Sequence, residues 1–491
     1  MAKTSWLTGQ RVIGIILIWN LLRLLLVPTM GLMPQDAYYF LYAEHPDLSY
    51  FDHPPMVAYM LYISKVIFGK HAFAIKLVDF AITAATQVAF YELATKFLSS
   101  SRSRGAALVF STTVLVSILS IITTPDVPLM LFWTLTLLCL YEAIFKDRTP
   151  FWLLAGLTMG LAFDSKYTAV FLPIGLLSYL LISSTHRKYL ATIWPYLSVS
   201  LMLICTLPVI IWNIENDFAS FLFQANRSEA ITRFSIHPEF FLGVLGHQAF
   251  ILIPVVFVLL IIYLIGLVQK LRRKQWAVFS PHQVFLLSFF LPLWSGFLLI
   301  SWVYWVKINW QMPAYITGII LVAGMLKTQH IKWHLILSAL IHIALLVQIL
   351  FYPVIIRSDD TWIGWEELAT QVQARQENYP NSFLFSGDNY KTSAQLNFHL
   401  DKRVYARNVV GEPALQFDYL EDNLNHLNGM DALFIDSQNQ FKELNKSGNL
   451  PEWAPLYFSS VEELNPIIVY KGSRPIRKYL VYFCSQYKAL P

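Results

Sequence analysis

Three stretches of this chain place acids, bases and amides where they can do chemistry. The first reads Pro34-Gln35-Asp36-Ala37-Tyr38-Tyr39, followed by Tyr50-Phe51-Asp52-His53-Pro54-Pro55. A carboxylate two residues after Pro34 falls at the start of a short helix. There it either caps that helix or, in a partly dry setting, accepts a proton or holds a cation. Asp52 and His53 sit on a turn stiffened by two prolines, which presents both side chains at little entropic cost. His53 gains charge as the medium acidifies. The second stretch is Thr123-Thr124-Pro125-Asp126-Val127-Pro128, where Asp126 is the lone charge between two apolar runs. It either caps the helix that begins at 127 or serves an outer site together with Asp36. The third is Asp164-Ser165-Lys166-Tyr167-Thr168. Lys166 either snorkels or binds an anion, with Tyr167 and Thr168 as neutral donors. Lys307, Arg227 and Arg233 are further cations of the same kind.

Together these groups suit a single reaction, in which a cation holds a phosphate leaving group while a carboxylate, Asp36 or Asp126, receives a proton. Asp36, Asp52 and Asp126 are also hard ligands of the kind that suit Mg²⁺ or Mn²⁺, although nothing in the sequence requires a metal. No Walker loop, GxSxG, HExxH or cysteine metal motif is present, which argues against nucleotide-driven and serine- or zinc-hydrolase chemistry. The three cysteines, Cys139, Cys205 and Cys484, are scattered and give no disulfide framework.

The elements that must position these residues are membrane spans. Of 491 residues, 56% are hydrophobic and 14% charged, against roughly a quarter charged in an average soluble domain. The charges are uneven: 357–491 carry 13 Lys/Arg and 17 Asp/Glu, nearly half of the chain's total. This predicts a membrane region over 1–356 and a soluble domain over 357–491. The net charge of +5 averages over two solvents and points to no nucleic-acid partner. A span needs about 20 apolar residues. Eleven stretches qualify: 12–30, 73–97, 104–123, 127–145, 151–164, 167–183, 189–212, 239–267, 283–304, 309–327 and 333–355. The first is expected to be retained as a span rather than removed as a signal peptide. With the N-terminus inside, 15 of the 23 basic residues of the membrane region fall on the inner side, as the positive-inside rule asks. The three stretches above, and the soluble domain, then lie outside. A further apolar stretch, 54–69, is too short to cross and reads as a helix lying in the interface. In the tail, Gly364-Trp365-Glu366-Glu367-Leu368 opens a helix. Apolar runs at 383–385, 404–405, 433–435, 467–470 and 479–483 alternate with helical stretches, which predicts a small α/β domain.

The order of motifs resembles the bacterial membrane glycosyltransferases related to protein O-mannosyltransferases (family 39) and to the aminoarabinose and galacturonic acid transferases of lipid A. The resembling parts are Gln35–Tyr39, Tyr50–Pro55, Thr124–Leu129, Ser165–Val170, Ile211–Asn213 with Phe223-Gln224 and Arg227, Asn309–Tyr315, and Gly364–Ala369. The resemblance implies a GT-C fold: an α-helical polytopic membrane protein of about 11 spans with a small C-terminal α/β domain outside the inner (plasma) membrane. It implies transfer, with inversion, of a sugar from a polyprenyl phosphate to a lipid (lipid A-like), glycan or protein acceptor at the outer face. It makes Asp36 and Asp126 the catalytic acids. His53, Lys166, Arg227 and Lys307 would face the donor phosphate, and Tyr38, Tyr39, Asp52, Tyr167 and Gln311 would contact substrate. The family's Asp-Glu pair before Ala-Tyr-Tyr is Gln35-Asp36 here. Where the aminoarabinose branch has a Glu-Lys pair before the two prolines, this chain has Asp52-His53, so His53 takes the place of a lysine that contacts lipid phosphate.

Two other functions compete. A polyprenyl-linked sugar transporter or flippase needs charges along a path through the spans, and the inner parts of these spans are nearly bare. A membrane sensor needs a cytoplasmic output domain, and the largest inner loop, about 268–282, is too short for one.

Overall fold

The computed structural model describes residues 8–226, 235–275, 279–438, 444, 448 and 450–489. The chain is a multi-pass helical membrane protein with a small C-terminal sheet domain. It separates into two compact units. One comprises Met1–Val27, His53–Val57 and Lys76–Leu346; the other comprises Pro28–Asp52, Ala58–Ile75 and Val347–Pro491. The first outer loop is thus grouped largely with the C-terminal chain, which the charge distribution gives no reason to expect.

The first unit is built of apolar helices. Among the described residues six are long and apolar enough to cross a bilayer singly: Gly9–Leu26, Ala72–Phe97, Asp126–Phe145, Pro254–Arg272, Pro281–Ile300 and Thr328–Phe351. Two bent pairs raise the number to eight. The expected single span 104–123 is one of these pairs, Ser100–Ser111 and Val114–Ile121, bent by 56°. Thr112 and Thr113 turn their hydroxyls back onto the carbonyls of Leu108 and Phe110, which lets a helix bend. Arg23 donates to the freed carbonyl of Ser111 and Ser338 to that of Thr112. The stretch 189–212 is likewise two helices, Trp194–Cys205 and Leu207–Glu215, bent by 44°. The stretch 239–267 breaks at Ile253, with φ 65°, directly before Pro254. A proline ring disfavours helical backbone in the residue before it. The stretch 309–327 forms only the ten-residue helix Ala314–Ala323, about 15 Å long and too short to cross alone. The stretches at 151–164 and 167–183 are two separate elements, Pro150–Ser165 and the short 3-10 turn leading into Phe171–Ile182.

The helices Asp126–Phe145 and Pro150–Ser165 pack side by side as a hairpin. Three pairs fix its antiparallel register: Asp126 with Lys166, Thr136 with Thr158, and Glu142 with Arg148. One end of the hairpin gathers the basic residues expected inside, with Lys96 and Arg148 on Glu142 at 3.0 and 2.9 Å. The other end holds Asp126 and Lys166, about 24 Å away along the helix.

In the second unit five strands form one mixed sheet. They are β1 (Phe383–Ser386), β2 (Val404–Tyr405), β3 (Ala432–Ser437), β4 (Phe458–Lys471) and β5 (Arg474–Tyr487), in the order β2-β1-β3-β5-β4. β1 is parallel to β2 and β3; β5 is antiparallel to β3 and β4. Both faces are covered, so β1 is buried throughout. Leu384, Leu433 and Val481 pack with Trp365 and Leu368 of the helix Trp365–Gln376, while Phe385, Phe434 and Tyr482 fill the opposite face. The helix Lys391–Leu400 carries β1 over to β2 and packs against Pro34–Glu44 of the first loop. There Phe40 meets Phe398 edge-on, and Gln395 donates to the carbonyl of Leu32 at 2.9 Å.

Candidate functional site

Pro125 cannot donate to a helix, so the helix of Asp126 begins directly after it. Asp126 is its first residue and is 1% exposed. It does not act as a free cap. Lys166, itself buried, donates to Oδ1 and Oδ2, each at 2.8 Å. Asn309, in the turn that precedes the helix Ala314–Ala323, donates to Oδ2 at 2.6 Å. Lys166 reaches this place because the helix Pro150–Ser165 ends on an extended residue, φ −161° and ψ 139°. The arrangement is a buried ion pair with one amide on the acid. A cation kept within 2.8 Å of a carboxylate leaves the set electrically neutral until an outside anion competes for the ammonium.

The second arrangement lies in the other unit, on the helix Pro34–Glu44 and the turn after it. Asp36 is fully buried, and its Oδ2 accepts from the Met33 backbone N–H at 2.9 Å, which caps the helix. Tyr38 and Tyr42, one turn apart, both donate their hydroxyls to Oδ1 of Asp52, Tyr38 at 3.1 Å. The Gln416 backbone N–H donates in turn to the Tyr38 hydroxyl at 3.1 Å, and the Gln416 side chain accepts from Phe51 N–H at 2.8 Å. Burial first, and the negative charge of Asp52 second, hold the phenols of Tyr38 and Tyr42 well above their ordinary range. Asp52 is thus fixed by hydrogen bonds from two phenol hydroxyls.

The remaining sequence candidates are dispersed. Tyr39 is buried against Tyr38 and Tyr42. His53 is half-buried at the proline turn. Tyr167 shares a 2.6 Å hydrogen bond with Ser220. Gln311 is fully buried and donates to the carbonyl of Trp294 at 2.8 Å, which makes it a support for the turn that carries Asn309. Lys307 is exposed. Arg227 and Arg233 lie outside the described residues. Both carboxylates, Asp36 and Asp126, are buried. Among the described residues no three His, Cys, Asp or Glu side chains gather as a metal site, and Asp126 already spends both oxygens on Lys166. Sequence reasoning passed over Tyr42, Gln416 and the role of Asn309. Asn309 stood within a recognised motif, but only the folded chain brings it to Asp126.

Comparison with known proteins follows the same ground. Residues 52–212 match the family model described as dolichyl-phosphate-mannose-protein mannosyltransferase. That stretch contains Asp52, His53, Asp126, Lys166 and Tyr167. A lipid A galacturonosyltransferase, RgtD of Rhizobium johnstonii, is 23% identical over 405 residues, 78% of this chain and 81% of that protein. ArnT from Cupriavidus metallidurans bound to undecaprenyl phosphate superposes with a TM-score of 0.60, at 15% identity and 98% coverage of both chains. Its apo state gives 0.57 at 14% identity, again with 98% of both chains covered. The fold expected from the motif order, GT-C with a small C-terminal domain, is the fold of this chain.

Proposed function

We propose that this protein is an inverting membrane glycosyltransferase that moves a sugar from a polyprenyl phosphate to lipid A at the periplasmic face of the inner membrane. The observation that carries the reading is the buried Asp126–Lys166–Asn309 set. Its ion pair, Asp126 and Lys166, lies within the stretch matched by the mannosyltransferase model, at the end of its hairpin opposite the basic end. Support for the chemistry comes from RgtD, named for transfer to lipid A, and from ArnT, solved with undecaprenyl phosphate.

The geometry suggests how such a set works. In inversion the acceptor hydroxyl attacks the anomeric carbon, the bond to phosphate oxygen breaks, and the phosphate leaves with the electron pair. The arriving phosphate competes with Asp126 for the Lys166 ammonium. Drawing Lys166 away unmasks Asp126, which Asn309 still orients, and Asp126 then takes the hydroxyl proton. Donor binding thus creates the base. His53, Arg227 and Lys307 add positive charge for the phosphate. Asp36, as the cap of Pro34–Glu44, positions Tyr38, Tyr39 and Asp52 for the substrate. Mg²⁺ or Mn²⁺ remains a proposal for Asp36 and Asp52 alone, and turnover in EDTA, with each ion added back, tests it.

The decisive experiment is transfer of labelled sugar from a prenyl phosphate to lipid A by purified protein. We expect a glycosylated lipid product. Movement of the intact donor across vesicles without any product would overturn the reading in favour of a flippase.

A further inference from the structure

One face of a single span reaches the stretch that leads into Asp126. On the helix Ala72–Phe97, Lys76, Asp79 and Thr83 stand at positions i, i+3 and i+7 and so share a face. Lys76 and Asp79 are fully buried, and Thr83 nearly so. Buried charges within a span are costly and mark function by default. Each of the three side chains spends its polar head on the end of the helix Val114–Ile121 or on the turn after it. The Lys76 ammonium donates to the carbonyl of Ile121 at 2.7 Å, and the Thr83 hydroxyl to that of Leu119 at 2.9 Å. Asp79 accepts, at Oδ2, from the Thr123 hydroxyl at 2.5 Å.

The last carbonyls of a helix have no partner within it, and a cation there also meets the negative end of the helix dipole. Lys76 and Thr83 therefore secure the end of Val114–Ile121. Asp79 reaches further: it grips a side chain beyond that end, on Thr123, three residues before Asp126. The link between them is short and stiff. Pro125 has a fixed φ, and the Val127 N–H donates to the carbonyl of Thr124 at 3.0 Å. A displacement of Thr123 is thus passed on to the Asp126 carboxylate. Once the donor phosphate draws Lys166 away, the aim of Asp126 rests on Asn309 and on this backbone. A base must come within about 2.6–3.2 Å of the group whose proton it takes, and a misplacement of about 1 Å can cost about 10²-fold in rate.

We propose that Asp79 is a positioning residue for the transfer reaction: through the Thr123 hydroxyl it fixes the turn that aims Asp126 at the acceptor hydroxyl. The inference rests on the reading of Asp126 as the base. Lys76 and Thr83 anchor the helix end against which the turn is set.

Thr123→Val removes the hydroxyl and keeps the shape, and Thr123→Ser returns it. Each is measured as full-length protein in detergent, alone and combined with Asp126→Asn. The assay supplies lipid A with labelled galacturonosyl or aminoarabinosyl undecaprenyl phosphate, and rates are set against the folded fraction read from melting curves. We expect Thr123→Val to lower kcat about 10-fold with the donor KM unchanged. Thr123→Ser should recover most of the loss, and Asp79→Ala, where it folds, should match Thr123→Val. In the Asp126→Asn background the base is gone, so Thr123→Val should lower the residual rate no further. A wild-type kcat in Thr123→Val overturns the proposal. So does a loss of the same factor in both backgrounds, or a fall in folded fraction that accounts for the whole loss, since either makes the contact merely structural. A wild-type rate in Asp126→Asn, or no transfer by the native protein, overturns the reading of the site and with it the ground of this proposal.

Discussion

Two aspartates in two parts of the molecule are both buried, yet they are held by different partners. Asp126 in the helical unit faces a cation, and its negative charge is cancelled within 2.8 Å. Asp52 in the other unit accepts hydrogen bonds from two phenols. The difference matters for chemistry. A carboxylate locked to lysine is a poor base until its partner is drawn off, whereas one fixed by directional bonds from two hydroxyls suits a positioning role. The same side chain becomes a conditional base in one place and a hydrogen-bonded anchor in the other.

The largest test breaks the first half of this contrast. Asp126→Asn leaves Lys166 buried without its counter-charge. Breaking a buried pair on one side costs about 3–5 kcal/mol, so the melting point should fall and turnover should drop about 10²-fold or more. Asp126→Asn combined with Lys166→Met removes both charges. We expect the double variant to regain thermal stability but not activity. Turnover regained together with melting would make the pair purely structural.

Particular residues show how far the sequence carries this picture. The apolar runs gave the strands: all five stretches picked out between 383 and 483 lie in β1 to β5, because a buried strand writes its burial into consecutive residues. Pro34 and Asp36 gave the start of the loop helix for a local reason, since a helix start depends on neighbours one turn away. The helix breaks at Thr112 and Ile253 were not legible, because hydropathy over a window does not register one hydroxyl or one proline when the flanks stay apolar. The partners of the candidate acids were the least visible. Asn309 is 183 positions from Asp126, and Gln416 is 378 from Tyr38. The sequence offered the two residues of the ion pair, Asp126 and Lys166, as separate candidates. Their pairing required the antiparallel register of the hairpin.

The second test sharpens the contrast from the side of Asp52. Asp52→Asn keeps the shape but removes the charge that two phenols serve. A hydrogen bond to a charged group contributes about 1.5–3 kcal/mol, so we expect turnover to fall roughly 10-fold, with a smaller fall for Tyr42→Phe. A loss as deep as that of Asp126→Asn would make Asp52 the base and reverse the assignment. Asp36 separates a cap from a base. Asp36→Asn keeps an acceptor oxygen for the Met33 N–H, and should stay near wild type in both melting and rate. Asp36→Ala removes the cap and should cost about 1 kcal/mol. A 10²-fold slower Asp36→Asn enzyme with an unchanged melting curve would place Asp36 among the proton acceptors.

The smallest expected effect concerns a third carboxylate, which has neither a lysine nor paired phenols. Asp436 on β3 accepts from Gln438 at 2.7 Å. Burial pushes its carboxyl up to about 6 from 3.8; Gln438 pulls it down, and the charges of Asp388 and Asp359 add to the rise. Between those two values the folded chain keeps a proton that the unfolded chain has released. Stability therefore falls as pH rises through this window, and the full penalty is present above pH 6. Asp436→Asn keeps the shape without the charge, so it should raise the melting point of this domain by about 2–4 °C at pH 8, and by progressively less as the pH approaches 4. Melting curves of both proteins across that range read the slope directly. A gain of the same size at pH 5 and pH 8 would show that burial of the charge is not the cause. Asp436 would then no longer serve as the uncompensated reference against which Asp126 and Asp52 are compared.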